Sequence, residues 1–195
     1  MSAGRPQQYQ SENVFQAVMQ TFWEHGYDGT SLRDLLDATG LSKSSFYEIF
    51  AHKQDALERS LARYCDLVVA ELSCGLAAAP SASAFIEGVL AGAAGEGRDN
   101  ANPRGCMLVN VATEFSARDA QIRARVAVSV ERVTRVLVTA IRRGQREGDI
   151  GADHDANALG RYVLASLCGL RTLVKAGASQ RALRDVIRVV MSTLR

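Results

Sequence analysis

Residues 30–53 read TSLRDLLDATGLSKSSFYEIFAHK, and the fold turns on this stretch. Thr30 and Ser31 each offer an oxygen that can cap a helix, and Leu32, Leu35 and Leu36 recur at the spacing of one helical face. Gly40 follows, a residue that accepts the left-handed backbone a helix end demands. Ser42 then offers a second cap, and Lys43 to Ile49 makes another short helix. Two short helices joined by a tight turn have the spacing of a helix-turn-helix, whose second helix enters the DNA major groove while the first crosses the backbone. The residue types suit that use. Ser42, Lys43, Ser44 and Ser45 place small hydroxyls and one ammonium at the start of the second helix, where base edges and phosphates come within reach. Phe46, Ile49 and Phe50 face back to hold it, while Tyr47 and Lys53 add a hydroxyl and a charge at the flank. An ordinary helical hairpin with solvated polar ends has the same spacing.

Outward from this stretch the pattern stays helical, because Val and Ile recur at spacings of three and four and rarely alternate. On the N-terminal side Ser11 can cap a helix carrying Val14, Phe15, Val18, Met19, Phe22 and Trp23 on one stripe, stopped by the segment from His25 to Gly29. On the C-terminal side a long helix from about Lys53 runs through Leu57, Leu61 and Leu72 and ends before Pro80. A small-residue helix from Ala82 to Ala94 follows, and then GEGRDNANPR (95–104), the most loop-like and mobile stretch expected. Helices are expected over Cys106 to Phe115, Asp119 to Glu147, Asp155 to Ala176 and Ser179 to Leu194. The fold class is therefore all-α: an N-terminal three-helix domain with the helix-turn-helix over 1–52 and a helical domain over 53–195.

Composition bounds the function. The 195 residues carry 23 Lys plus Arg against 21 Asp plus Glu, net +2, with 47% apolar and 6% aromatic residues. That length suits one domain or two small ones sharing a core. No run approaches the roughly 18 to 20 apolar residues of a membrane span, and Met1 to Gln10 do not read as a secretory signal, so a soluble chain acting in the cytoplasm, with no membrane partner, is expected. Cys65, Cys74, Cys106 and Cys168 lie far apart with no C-x-x-C pair and no clustered histidines, which predicts reduced thiols and no metal or cofactor. Charge is split unevenly. Residues 1–60 hold five basic and eight acidic side chains, net −3, and residues 61–195 hold eighteen and thirteen, net +5. An acidic helix-turn-helix segment argues against nucleic acid, for which a basic face is the expected footprint. Arg5, Arg33, Lys43 and Lys53 would have to converge on one side, and a dimer would double them.

The run GRPQQYQ, then Phe22 to Gly26, Tyr27-Asp28-Gly29-Thr30-Ser31-Leu32, Gly40-Leu41-Ser42-Lys43-Ser44-Ser45-Phe46-Tyr47-x-x-Phe50 and Lys53 resembles the DNA-binding domain of the TetR family of bacterial transcriptional regulators over about residues 11–60. The remaining two thirds are similar in length and helix order, including Gly105-Cys106-Met107-Leu108-Val109-Asn110. The resemblance implies a repressor that binds a near-palindromic double-stranded operator as a homodimer and is released by a small-molecule effector. It implies phosphate contacts from Thr30, Arg33, Tyr47 and Lys53, base-edge or nearby backbone contacts from Lys43, Ser44 and Ser45, and a capping role for Ser42. The sequence departs from the family at Glu48 and Ile49, where aromatic residues or histidine are common, and at His52, where a small capping residue is usual. Glu48 can accept from cytosine N4, repel phosphate, or lie on a solvated face.

The effector end is less distinctive. Cys106, Asn110 and Glu114 stand at i, i+4 and i+8 on an apolar helix, where they can line a ligand pocket or bond to neighbouring helices. Cys106 falls in the first predicted turn with Arg104 two residues before it, and both a helix N-terminus and a nearby cation favour thiolate. The segment is similar to that of regulators in the family that respond to electrophiles through cysteine, whereas a free cysteine otherwise reads as core packing. Cys65, Cys74 and Cys168 are expected in the core. His154 between Asp153 and Asp155 reads as the approach to a helix cap, not a metal site, and the arginines from Arg118 to Arg146 as a solvated face. Leu159, Tyr162, Val163, Leu167, Leu170 and Leu173, with Leu183, Val186, Ile187, Val190 and Leu194, form more apolar surface than one chain covers, which marks an interface. The competing classes are an interaction module without DNA binding, favoured by the acidic N-terminal segment, and a helical-bundle enzyme using Cys106 or Glu114. The enzyme lacks a base, since His25, His52 and His154 all fall at predicted helix ends.

Overall fold

The computed structural model describes residues 5–99, 103–115 and 118–195, and every regular element among them is an α-helix. The order is α1 (Arg5–His25), α2 (Leu32–Thr39), α3 (Lys43–Ile49), α4 (Lys53–Ala78), α5 (Ala82–Asp99), α6 (Met107–Phe115), α7 (Ala120–Glu147), α8 (Ala156–Lys175) and α9 (Gln180–Thr193). The all-α expectation holds. No helix among the described residues is long and apolar enough to cross a membrane.

Helix ends follow side-chain chemistry. Ser31, Ser42, Asp155 and Ser179 cap α2, α3, α8 and α9, each accepting from the backbone N–H three residues on. Two expectations are corrected. The first helix begins at Arg5, so Ser11 lies inside it; Pro6 sits in the opening turn, where a missing N–H costs nothing. The fifth helix continues past Ala94 to Asp99, because a glycine inside a helix costs only about 1 kcal/mol and does not terminate it. The remainder of the expected loop includes residues 100–102, which lie outside the described residues, and Cys106 falls just ahead of α6.

The contacts divide the chain into two compact units, Met1–Asp66 with Asn110–Ala127, and Leu67–Val109 with Val128–Arg195. The first is built on Val18, Met19, Leu35, Phe46, Phe50, Leu57 and Leu61, all essentially buried. Phe50 meets Phe15 edge-on at 5.2 Å and Phe46 at 5.0 Å, and the Arg59 guanidinium covers both Phe15 and Phe50 while donating to the Ile49 carbonyl at the end of α3. Burying one such ring stabilises the unit by about 1.5–3 kcal/mol, and this fixes the short α3 that could not stand alone.

In the second unit α8 packs on α5 and α9, and α5 also packs on α9. A Cβ on Gly160 would come within 2.5 Å of Val138 Cγ2, so glycine there lets α8 approach α7 closely. Among the arginines expected on a solvated face, Arg143 is an exception: it donates to the Leu76 and Ala79 carbonyls at 2.8 and 3.2 Å, capping the end of α4. Cys65 is buried as expected, but Cys74 is exposed and Cys168 only half-buried, because neither points along the buried stripe of its helix.

Candidate nucleic-acid interface and effector region

The α2–α3 hairpin is fixed by three local devices. Ser31 and Asp34 form a reciprocal cap: the Asp34 N–H donates to Ser31 Oγ at 3.2 Å and the Ser31 N–H to Asp34 Oδ2 at 2.7 Å. The Ser31 hydroxyl also donates to Asp34 Oδ2 at 2.7 Å, and this bond, followed by that from the Ser31 N–H, holds the Asp34 carboxyl below its ordinary pKa. Gly40 ends α2 at φ 68°, its N–H bonding the Leu36 carbonyl, a conformation that costs other residues strain. Ser42 Oγ accepts from the Ser45 N–H at 3.1 Å and lies 2.9 Å from the hydroxyls of both Ser44 and Ser45.

With Phe46 fully buried beneath it, α3 turns Lys43, Ser44, Tyr47 and Glu48 outward, and Tyr47 is 44% exposed. Ser45 is half-buried, its hydroxyl joined to Ser42. Arg33 projects from α2 and pairs loosely with Asp37 at 3.7 Å, both side chains largely exposed, so the pair holds it only weakly. Lys53 opens α4 with its ammonium 4.1 Å from the centroid of the Tyr27 ring. Thr30 stands apart from this set. It is 1% exposed and its Oγ1 donates to the Gly26 carbonyl at 2.6 Å, so as it stands its side chain does not face a phosphate. His52, a departure from the family pattern, takes the capping role itself: its Nδ1 accepts from the Asp55 N–H at 3.0 Å.

The residues expected at the effector end do not form one site. Cys106 clusters with the second unit, Asn110 and Glu114 with the first. Both carboxylate oxygens of Glu114 accept from backbone N–H groups, those of Tyr27 and Asp28. Cys106 is 8% exposed, and the Cys168 thiol hydrogen-bonds to it. That bond, with burial behind it, pushes the Cys168 thiol well above the ordinary cysteine range. The sequence reading missed this pairing because the two cysteines are 62 positions apart with no spacing signal.

The second unit also contains an open groove of about 540 Å³ between α4, α5 and α8. Val68, Leu72, Phe85 and Leu167 line it, with Glu71 and Arg171 at its polar part. A Cβ added to Gly88 or Gly92, which also line the groove, would meet nothing within 4 Å. Among the described residues no group of three His, Cys, Asp or Glu side chains could hold a metal ion, and the Asp155 carboxylate beside His154 accepts from the Ala158 N–H as a helix cap.

The chain matches the family described as bacterial regulatory proteins, tetR family, over residues 15–59, and the tetracyclin repressor-like C-terminal domain over residues 83–190. It is 26% identical over 192 residues to the uncharacterized HTH-type transcriptional regulator YezE of Bacillus subtilis, covering 98% of this chain and 99% of that one. It is 27% identical over 198 residues to the HTH-type transcriptional repressor ComR of Escherichia coli, covering 100% of this chain and 91% of that one. Among solved structures, a cysteine mutant of the TetR family transcriptional regulator CifR in complex with 26-bp double-strand operator DNA superposes with a TM-score of 0.81 at 25% identity, covering 94% of this chain and 96% of that one. These relatives are regulators of transcription, not enzymes. With an α3 that exposes hydroxyls, an ammonium and a phenol above a closed aromatic core, and with the two matches spanning both ends of the chain, this protein belongs to the TetR family of DNA-binding transcriptional regulators.

Proposed function

We propose that this regulator is a repressor that binds a near-palindromic operator as a homodimer and is released by a small hydrophobic or electrophilic effector. In this reading residues 1–52 are the DNA-binding domain and residues 53–195 the regulatory and dimerisation domain, in the cytoplasm. The observation that carries it is the outward face of α3. Lys43 and Ser44, with Ser45 and the cap Ser42 beside them, face the base edges, while Tyr47, Lys53 and Arg33 contact the phosphates on either side. The buried Thr30 serves instead to set the start of α2. A dimer places two such helices about 34 Å apart, one DNA turn, and doubles the few cations that an acidic segment provides. Contrary to the expected surplus of apolar surface, Leu159, Val163, Leu167, Leu170, Leu183, Val190 and Leu194 are buried within the chain itself, and the support for the dimer from the last two helices is Leu173, 40% exposed, and Val189, 60% exposed. The apolar groove between α4, α5 and α8 suits a hydrophobic effector, and the Cys106–Cys168 thiol pair an electrophile. Either effector acts by binding better to a conformation that no longer fits the operator.

The test is a mobility shift on promoter DNA flanking the regulator's own coding sequence, at two salt concentrations, with and without lipophilic compounds and electrophiles. Tight, salt-sensitive binding released by one class of compound is expected, with log K falling by about 0.9 per phosphate contact for each tenfold rise in salt. Absence of binding at any salt would favour the interaction module suggested by the acidic balance of residues 1–60.

A further inference from the structure

The turn between α1 and α2 is held by a side chain from far along the sequence. Gly26, at φ 72°, directs the N–H groups of Tyr27 and Asp28 toward Glu114. Tyr27 N lies 3.0 Å from Oε2 and Asp28 N 2.7 Å from Oε1, so each carboxylate oxygen takes one amide. The seat is close-fitting: a Cβ on Gly26 would lie 3.1 Å from Oε2. The neighbours of the turn converge there too. The Tyr27 ring meets Phe115 edge-on at 4.7 Å and stacks on Phe22 at 6.0 Å, and Arg118 reaches the Asp28 carboxylate at 3.1 Å. From the same turn Lys53 finds its resting place over Tyr27, and Thr30 bonds back to the Gly26 carbonyl at the entry to α2.

We propose that Glu114 is a positioning residue for operator binding: its carboxylate, seated on the Tyr27 and Asp28 amides, fixes the turn that sets α2 and Lys53 against the DNA backbone. The inference rests on the reading of residues 30–53 as the operator-binding element. It also gives an acidic residue a reason to be in a unit that must approach phosphates. A bulk-charge view and the positioning view predict opposite signs. Removing a negative charge from a DNA-binding unit strengthens binding by ordinary electrostatics. Removing the clamp weakens it, because charge-assisted bonds of this kind are the strong ones and glutamine sets an NH2 donor, in place of an acceptor oxygen, against one of the two N–H groups.

The experiment compares wild type, Glu114→Gln and Glu114→Asp. Glutamine keeps the length and loses the charge, and aspartate keeps the charge but is one methylene too short to seat on both amides. For both variants operator Kd should rise about tenfold, the fraction of a lost charge-assisted bond that reaches the interface. The salt dependence of log K should become shallower by about one unit as a phosphate contact is lost. A variant that is merely less folded lowers the active fraction but leaves that slope unchanged. Amide hydrogen exchange read by NMR should quicken at Tyr27 and Asp28 ahead of the rest of the unit. Tighter binding by Glu114→Gln with Glu114→Asp unchanged would overturn the proposal, as would unaltered exchange at those two amides. A wild-type protein that binds no operator would instead remove the reading on which the proposal rests.

Discussion

The ammonium of Lys53 sits 4.1 Å from the centroid of the Tyr27 ring, so the first residue of α4 is braced against the turn that opens α2. Burial, followed by the charges of Asp28, Asp119 and Glu114, raises the Tyr27 phenol above its ordinary pKa, which keeps the ring neutral beneath the cation. A contact of this kind stabilises by about 0.5–1 kcal/mol where partly exposed, enough to orient a side chain without trapping it. Lys53→Ala is therefore expected to weaken operator binding by a similar factor on every sequence and to make the salt dependence shallower by about 0.9. Titration against an operator and a scrambled duplex checks this, and a change confined to the operator would move Lys53 from phosphate to base contact.

Tyr47 and Lys43 lie on the same exposed face of α3 but are expected to respond differently. Tyr47→Phe removes one hydroxyl from a ring already held edge-on against Phe46 at 5.7 Å, so affinity falls for all sequences. Replacing Lys43 or Ser45 alters contacts to base edges, where each good pair discriminates by about 1–3 kcal/mol. Selection from a randomised operator pool should return an altered consensus for Lys43 and Ser45 variants and the wild-type consensus for Tyr47→Phe. Equal shifts in preference for both kinds of variant would dissolve the distinction between phosphate and base roles.

The hairpin was legible because its determinants are local: Ser31, Gly40 and Ser42 fix their own neighbourhoods, and Leu35, Phe46 and Phe50 mark the buried side. The start of α3 follows from its Ser42 cap. What sequence could not reveal are the roles assigned by chain-distant partners. Glu114, part of an apparent polar stripe with Cys106 and Asn110, is bonded to amides 86 and 87 positions away. Arg143, one arginine among several on α7, is distinguished only by where the end of α4 happens to lie. Periodicity reports which face is buried, not which carbonyl or amide waits there. His52 could have been recognised, since a ring nitrogen three residues before Asp55 has the spacing of a cap.

Acid should loosen the first unit in a defined direction. The Asp119 carboxyl accepts from the Ile122 and Gln121 N–H groups and from Gln54 Nε2, and the bond from Ile122 leads in lowering its pKa. A carboxyl whose folded pKa is lowered binds its proton less readily folded than unfolded. Its contribution is therefore complete above the unfolded value, about 3.9, and is lost as pH falls through the lowered folded value. Asp119→Asn lacks that titration. The difference in Tm between wild type and Asp119→Asn is expected to shrink as pH is lowered from about 5 toward 2. A difference that grew in acid would mean that Asp119 is not an anion in the folded unit.

Chemistry at the thiol pair is expected to fall to Cys106, which stands just ahead of the N-terminus of α6. The neighbouring Cys106 thiol and burial push the Cys168 thiol up, the direction that disfavours its thiolate. Alkylation by a small electrophile such as N-ethylmaleimide is thus expected to modify Cys106 before Cys168 and to release operator DNA. Cys106→Ser should bind operator normally and resist that release, whereas Cys168→Ser should still be released. Peptide mass spectrometry gives the order of modification. Unchanged release of Cys106→Ser by every electrophile would reduce this cysteine to packing.

Arg143 should matter for stability and not for DNA. Its guanidinium serves the Leu76, Ala79 and Pro80 carbonyls at the end of α4 and pairs with Glu147 at 2.8 Å, with only 26% of the side chain exposed. A planar fork can serve several carbonyls and a carboxylate together, which a lysine ammonium on a flexible stem cannot match. Arg143→Lys is therefore expected to cost about 1 kcal/mol and Arg143→Ala about 2, because the alanine leaves part-buried carbonyls without a donor. For a chain of this length each kcal/mol lowers Tm by roughly 2–4 °C. Thermal melts should rank wild type above Arg143→Lys above Arg143→Ala, with operator affinity unchanged at a temperature where all three are folded. Equal melting of the lysine and alanine variants would mean that charge near the helix end matters and the fork does not.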